Sequence, residues 1–171
     1  MKIRTITTGF NLDAPVNENQ IRHLAEFTTN AKEMFENNGY TVQTVRVATQ
    51  PWEEYFESKN QIIELVKRFE TLVHKYSLDY FNIGTTFDPQ LIPVIYDMIQ
   101  NTSVMFCTTL VSDSTTIHYA LARQTAKAMK MLSTIEENGF ANLRFAALFN
   151  TKPGSPFYPA AYHKGPTSFA I

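Results

Sequence analysis

Apolar positions recur along this chain with two alternating periods, which predict strands separated by helices. Strand-like runs cover 3–8, 41–47, 78–83, 103–110 and 143–149. Between them, apolar side chains fall three or four positions apart, which is the spacing of one helical face, over about 17–38, 62–76, 89–100 and from 112–116 to 138–139. The pattern therefore predicts five strands alternating with four helices.

The last three predicted strands are almost continuously apolar rather than alternating. Strands of this kind are typical of parallel sheets, because both of their faces are covered. A helix between two successive strands also returns the chain in the same direction. The fold class predicted from the sequence is α/β with five parallel strands.

The end of the sequence has a different composition. Four of the eight prolines lie in 151–171, which excludes a helix or a central strand there. The same stretch is too aromatic for a solvated linker, with Phe157, Tyr158, Tyr162 and Phe169. We therefore expect an α/β domain over 1–150 and a C-terminal segment, 151–171, that packs on the domain or on a partner.

Charge and cysteine content narrow the functional classes. Fifteen Lys and Arg residues against sixteen Asp and Glu give a net charge of −1, without the basic excess that nucleic acids or anionic membranes require. The single cysteine, Cys107, lies in an apolar strand and is expected to be a buried structural thiol. No apolar run is long enough to span a bilayer, and the start of the sequence lacks the pattern of a signal peptide. These features predict a cytoplasmic protein.

Three segments resemble a known family of bacterial and archaeal proteins. They are the opening strand with its glycine (3–9), the Ser-Asp-Ser-Thr-Thr-Ile turn (112–117) and the aromatic stretch Phe-Tyr-Pro-Ala-Ala-Tyr-His-Lys-Gly-Pro (157–166). On these motifs the sequence resembles the domain-of-unknown-function family DUF711 over its whole length, most specifically in the third motif.

The resemblance implies a fold related to the pyruvate formate-lyase-like glycyl-radical enzymes. Their barrel has ten strands and is built from two five-stranded parallel halves, so five strands correspond to one half. It implies no particular reaction, and the Gly-rich radical loop of the true glycyl-radical enzymes is absent. Family members are longer than this chain. We therefore expect a half-barrel, present as a fragment, as a homodimer or with a second chain that supplies the other half, because open strand edges and apolar patches associate.

Small polar residues recur where the predicted strands end, which is where parallel α/β sheets bind ligands. Hydroxyls and free amides there suit a small anionic ligand, and the candidate binding residues are Thr8, Gly84, Thr109, Ser112, Ser114 and Lys164. As catalytic candidates we take His163, in the family-like aromatic stretch, and Asp113. The sequence contains no residues at metal-ligand spacing and no known phosphate loop, so we expect no bound metal. It does not indicate which cofactor, if any, is used.

Three functions remain open at this stage. The first is an enzyme-like binder of a small anionic molecule at the strand ends, with an unknown reaction. The second is a non-catalytic, structural or interaction half-barrel that requires a partner chain. The third is a flavodoxin-like domain that binds a phosphate or a nucleotide.

Overall fold

The computed structural model describes all residues, 1–171, and contains eight strands. They are β1 (Lys2–Ile3), β2 (Ile6–Phe10), β3 (Thr41–Val42), β4 (Val45–Thr49), β5 (Tyr80–Thr86), β6 (Met105–Ser112), β7 (Phe145–Phe149) and β8 (Ser168–Ala170). The two short strands β1 and β3 form a small parallel sheet of their own. The other six form the main sheet.

Four α-helices connect the strands: α1 (Glu18–Asn37), α2 (Lys59–Lys75), α3 (Val94–Gln100) and α4 (Tyr119–Leu132). Two of them begin at residues that cap free amides: the Asn17 side chain accepts from Asn19 N, and Ser58 accepts from Gln61 N. Two 3₁₀ segments, Trp52–Glu54 and Glu137–Arg144, lie at the ends of strand connections.

The main sheet has the order β7-β6-β5-β4-β2-β8. The first five strands are parallel and stand in chain order, whereas β8 runs antiparallel to β2. Successive helices contact one another, so all four lie on one face of the sheet. The α/β class and the mostly parallel sheet are confirmed. In a flavodoxin-like sheet the order of the strands along the chain reverses at one point, called the topological switch point. The five parallel strands here show no such reversal.

The structure corrects several predicted elements. The first predicted strand is two strands, and β2 continues through Gly9 instead of ending there. The fourth helix begins at Tyr119, because the residues before it form a turn in which Ser112 bridges to Ile117. It ends at Leu132, well before the positive-φ pair Asn138 and Gly139. The count of five strands in the sheet is also wrong, since β8 adds a sixth.

The hydrophobic core lies between the sheet and the helices. Phe69 of α2 is fully buried and meets two sheet residues, with ring centroids 6.1 Å from Phe10 and 4.5 Å from Phe81. Such large buried aromatic side chains contribute much of the stability of a domain of this size.

The opposite face of the sheet is covered by residues 151–165, which we call the strap. Thr7 Oγ1 donates to Pro156 O at 2.8 Å and Asn82 Nδ2 donates to Pro159 O at 2.6 Å. The Tyr158 hydroxyl donates to Val47 O, and His163 N donates to Thr49 O at 2.8 Å. The strap thus crosses from the end of β7 to the margin formed by β2, where the chain continues into β8.

Candidate functional site

Two of the predicted ligand residues, Thr8 and Thr109, are fully buried in the sheet. Thr28 Oγ1 of α1 donates to Thr8 Oγ1 at 2.8 Å, which places Thr8 on the helix-covered face. Thr109 Oγ1 donates to Thr86 O at 3.2 Å. Both hydroxyls therefore make hydrogen bonds within the interior of the fold.

Gly84 lies where two strand ends approach closely. Its φ is +82°, and a Cβ there would stand 2.2 Å from Gln50 O. Its amide donates to Asn82 Oδ1 at 2.8 Å. Glycine is required here because of the positive φ and because a Cβ would clash with Gln50 O. Its N–H donates to Asn82 and is not free for a ligand.

Ser112, Asp113 and Ser114 form the turn after β6. The Asp113 carboxylate accepts bonds from the Thr115 hydroxyl and amide and from Thr116 N, and it lies 3.0 Å from His118 Nε2. The Thr115 hydroxyl, followed by these amides and His118, holds the pKa of Asp113 well below its ordinary value. The turn therefore presents a fixed negative charge, which opposes an anionic ligand at this point.

His163 is buried against β2, whereas Lys164 is exposed. The His163 Nε2 atom lies 2.9 Å from Gly165 O, and the ring packs against Gly9 so closely that a Cβ there would lie 2.2 Å from Nδ1. The cavity beside the ring has a volume of about 140 Å³. Ligand sites usually measure about 300–1,000 Å³, so the geometry gives His163 a packing position.

The predicted site residues fall into two groups rather than one. The turn at Asp113 follows β6, while His163 and Lys164 lie over the ends of β2 and β4. Strand β5 separates the two groups in the sheet. The structure therefore does not assemble one site at the carboxyl ends of the strands from these residues.

A larger cavity lies on the strap-covered face, towards the amino ends of the strands, and sequence reasoning missed it. Its volume is about 610 Å³. Its walls come from the first strand region, from β4, β5 and β6, from the strap and from the residue after β8. They comprise Lys2, Ile3, Arg4, Thr5, Arg46, Tyr80, Phe106, Pro156, Phe157, Tyr158 and Ile171. We call it the Arg46 cavity.

Arg46 contacts two tyrosine rings in this cavity. Its guanidinium carbon lies 5.3 Å from the ring centroid of Tyr80 and 5.1 Å from that of Tyr158. Sheet register produces the first contact, because Arg46 and Tyr80 are direct partners across β4 and β5. The strap supplies the second ring. Two cation–π contacts restrict the positions that the guanidinium can take.

The rings around Arg46 also support one another. Phe106 makes edge-to-face contacts with Tyr80, at a centroid distance of 5.5 Å, and with Tyr158, at 5.0 Å. Arg46 Nε donates to Thr44 Oγ1 at 3.1 Å. The two terminal nitrogens make no ion pair or hydrogen bond, so the guanidinium is oriented without being neutralised.

The charged side chains that line the Arg46 cavity are all basic. Lys2 and Arg4 line it together with Arg46, and none of the three forms an ion pair. No acidic side chain is among the lining residues. Asp79, next to Tyr80 in sequence, accepts a hydrogen bond from Val45 N at 2.7 Å. The cavity is therefore electropositive and suited to an anion.

A further polar group in the wall has no partner. Thr5 is buried, and its hydroxyl oxygen makes no hydrogen bond within the protein. Buried hydroxyls are nearly always hydrogen-bonded, so Thr5 is an exception, as are the Trp52 indole nitrogen and the Asn142 side-chain oxygen elsewhere in the fold. One sequence signal could have found this site: Arg46 is a lone charge inside the apolar strand β4.

Other chemistry is not assembled. Cys107 is fully buried, as its apolar strand predicts, and burial raises the pKa of its thiol, which removes it as a nucleophile at neutral pH. No group of three or more His, Cys, Asp and Glu side chains could hold a metal ion. None of the helices combines the length and apolar character needed to cross a membrane.

Fold and cavity together define an α/β protein with a mostly parallel sheet and one electropositive, aromatic-walled cavity. The family model described as Uncharacterised ACR (DUF711) matches residues 1–171. The chain therefore belongs to this family, which confirms the resemblance noted in its motifs. No curated protein matches the sequence. The family description names no activity, and the site is the remaining source of information on function.

Proposed function

We propose that this protein binds a small anionic molecule in the Arg46 cavity. The observation that carries the proposal is the guanidinium of Arg46, which makes cation–π contacts with Tyr80 and Tyr158 while its terminal nitrogens stay unpaired. A planar guanidinium in this state binds carboxylate or phosphate oxygens through two parallel hydrogen bonds.

The surroundings strengthen this attraction. Lys2 and Arg4 add positive charge at the cavity wall, and the rings of Tyr80, Phe106 and Tyr158 limit the access of water to Arg46. A charge pair in such a place is screened less than one on an open surface. The ligand class is that expected from the sequence, but its location is the amino side of the strap-covered face.

The proposal is tested by titrating the protein with inorganic phosphate and acetate at low ionic strength, using isothermal calorimetry. We expect Arg46→Met to weaken binding at least about tenfold, because a charge-assisted hydrogen bond contributes about 1.5–3 kcal/mol. Arg46→Lys keeps the positive charge but loses the paired donors of the guanidinium. Its affinity should therefore lie between those of the wild type and Arg46→Met.

The matched control is Arg22→Met, since Arg22 is an exposed arginine of α1 whose ion-pair partner is Glu26. This variant should bind as the wild type does. Circular dichroism of each variant shows whether the fold is kept. Binding that is equal in the wild type and in Arg46→Met contradicts the proposal.

A second candidate function is that of a half-barrel completed by further strands. It is supported by the sequential strand order with all helices on one face, and by the outer margin at β7, where Leu143 and Phe149 are 64% and 66% exposed. Unpaired strand edges beside apolar side chains are association surfaces.

Sedimentation velocity over a range up to tens of micromolar tests the second candidate. It requires a sedimentation coefficient that rises with concentration in the wild type and much less in Phe149→Ser. Met34→Ser, at an exposed position of α1, is the matched control. A non-associating wild-type chain counts against this candidate.

A further inference from the structure

The Arg46 cavity also carries information about the kind of anion it holds. We infer that its ligand is a phosphate monoester attached to a flat aromatic group. This inference rests on the proposed function, since it specifies the ligand of the same cavity.

Three basic side chains line the cavity. Arg46, Lys2 and Arg4 line one cavity that contains no acidic side chain and no ion pair. A single carboxylate would neutralise only one of these charges. A phosphate monoester carries about −1.5 to −2 charges near neutral pH and three acceptor oxygens. It can therefore accept from the Arg46 fork and attract a second cation at the same time.

The wall of the cavity is apolar as well as basic. Phe157 is 72% exposed, and it lines the cavity together with Phe106 and Tyr80. An anion alone would leave these side chains in water. A flat aromatic group between them would bury this surface and stack on the rings. The volume of about 610 Å³ has room for both parts of such a ligand.

The test compares three probes on the full chain by calorimetry: inorganic phosphate, phenyl phosphate and benzenesulfonate. Phenyl phosphate is expected to bind at least about tenfold more tightly than inorganic phosphate, because the ring adds buried apolar area. Benzenesulfonate has the same ring and three head-group oxygens but a single charge. It should bind at least about fivefold more weakly than phenyl phosphate.

Phe157→Ala separates the ring contribution from that of the charge. Phe157 is exposed, so its truncation leaves the core intact. The variant should weaken phenyl phosphate binding about three- to tenfold and inorganic phosphate binding by a clearly smaller factor. Phe140→Ala, an exposed phenylalanine outside the cavity, should change neither affinity.

The probes test the aromatic group and the phosphate group of the ligand separately. Equal affinities for phosphate and phenyl phosphate overturn the aromatic group, and equal affinities for phenyl phosphate and benzenesulfonate overturn the phosphate. In both cases loss of binding in Arg46→Met still supports anion binding at the cavity. If no probe binds the wild type at about 10 mM, or if Arg46→Met binds them all equally, the proposed function itself fails.

Discussion

The absence of a side chain at Gly9 allows the strap to lie close to the sheet. Five of the six glycines have positive φ, and Gly9 is the exception. Its role is to leave room, because the His163 ring occupies the space that a Cβ would take, with Nδ1 at 2.2 Å and Cγ at 2.8 Å. A glycine inside a strand often marks such a close approach. Gly9 and His163 therefore form one packing unit.

We expect Gly9→Ala to lower the free energy of unfolding by about 1–3 kcal/mol, because the added methyl displaces the His163 ring. Urea unfolding measures the change. In a His163→Ala background the same substitution should cost much less, or even stabilise the chain by restricting its unfolded state. An equal cost in both backgrounds would show that the ring is not the cause.

At this scale the sequence identifies residue types but not their neighbours. The pattern correctly places Cys107 in a buried strand, since its flanking residues are apolar. It cannot show that Thr8 faces α1 and bonds to Thr28, because that depends on which face of the sheet the helices cover. Arg46 acquires its surroundings from Tyr80 and Tyr158, the second of which is 112 positions away, so its role follows from tertiary structure.

At the scale of elements, the strap is the least regular part of the chain and the one most involved in the site. It has no repeating hydrogen-bond ladder and is held by separate bonds to β2, β4 and β5. Tyr158 has two roles, since its hydroxyl donates to Val47 O while its ring covers Arg46. Any change that loosens Tyr158 should therefore affect both strap and cavity.

Tyr158→Phe is expected to loosen the strap while keeping the ring over Arg46. Loss of one hydrogen bond costs about 0.5–1.5 kcal/mol, so amide exchange at His163 should become about two- to tenfold faster. Hydrogen exchange followed by mass spectrometry measures this, because His163 N donates to Thr49 O within the strap contact.

The control for this experiment is Tyr119→Phe, which removes a hydroxyl from a tyrosine that is 78% exposed. It should leave exchange in the strap unchanged. Unaltered exchange at His163 in Tyr158→Phe would mean that the Tyr158 hydroxyl does not hold the strap in place.

The existence and type of the elements follow well from the sequence, and their ends less well. The stripe of α2 is unambiguous because its polar and apolar positions repeat over four turns. The start of α4 was misplaced, because five polar residues before it all suit a helix cap, and Asp113 uses its carboxylate to close a turn instead. Strand β8 has no signal of its own, since three residues form it only by pairing with β2.

At the scale of the whole molecule, the sequential order of parallel strands places the helices on one face and leaves the other for the strap. Helix and strand alternation predicts the class but not the order, because order depends on where each helix crosses the sheet. Cys107 lies in β6, inside the main sheet, where it is fully buried. It is the only thiol of the chain, which makes it a reporter of global opening.

We expect the folded protein to react with an aromatic disulfide reagent only as fast as it unfolds, since burial both shields Cys107 and raises the pKa of its thiol. Labelling followed by absorbance over a urea series measures this. Phenyl phosphate at about ten times its Kd should slow the labelling about tenfold, because it binds only the folded state.

Arg46→Met should abolish the effect of phenyl phosphate without making Cys107 reactive in the absence of urea. Rapid labelling of the native wild type would contradict the buried position of the thiol. Slowing that persists in Arg46→Met would place the ligand elsewhere.

The pairing of β8 with β2 has a consequence for how the chain acquires its structure. Strap bonds join residues as far as 154 positions apart, as between Asn11 and Gly165, whereas the helices and their adjacent strands close short loops. Contacts with such separations raise the contact order and form late, after the entropy of closing a long loop has been overcome. We therefore expect Tyr158 to dock on Arg46 after the parallel strands have paired.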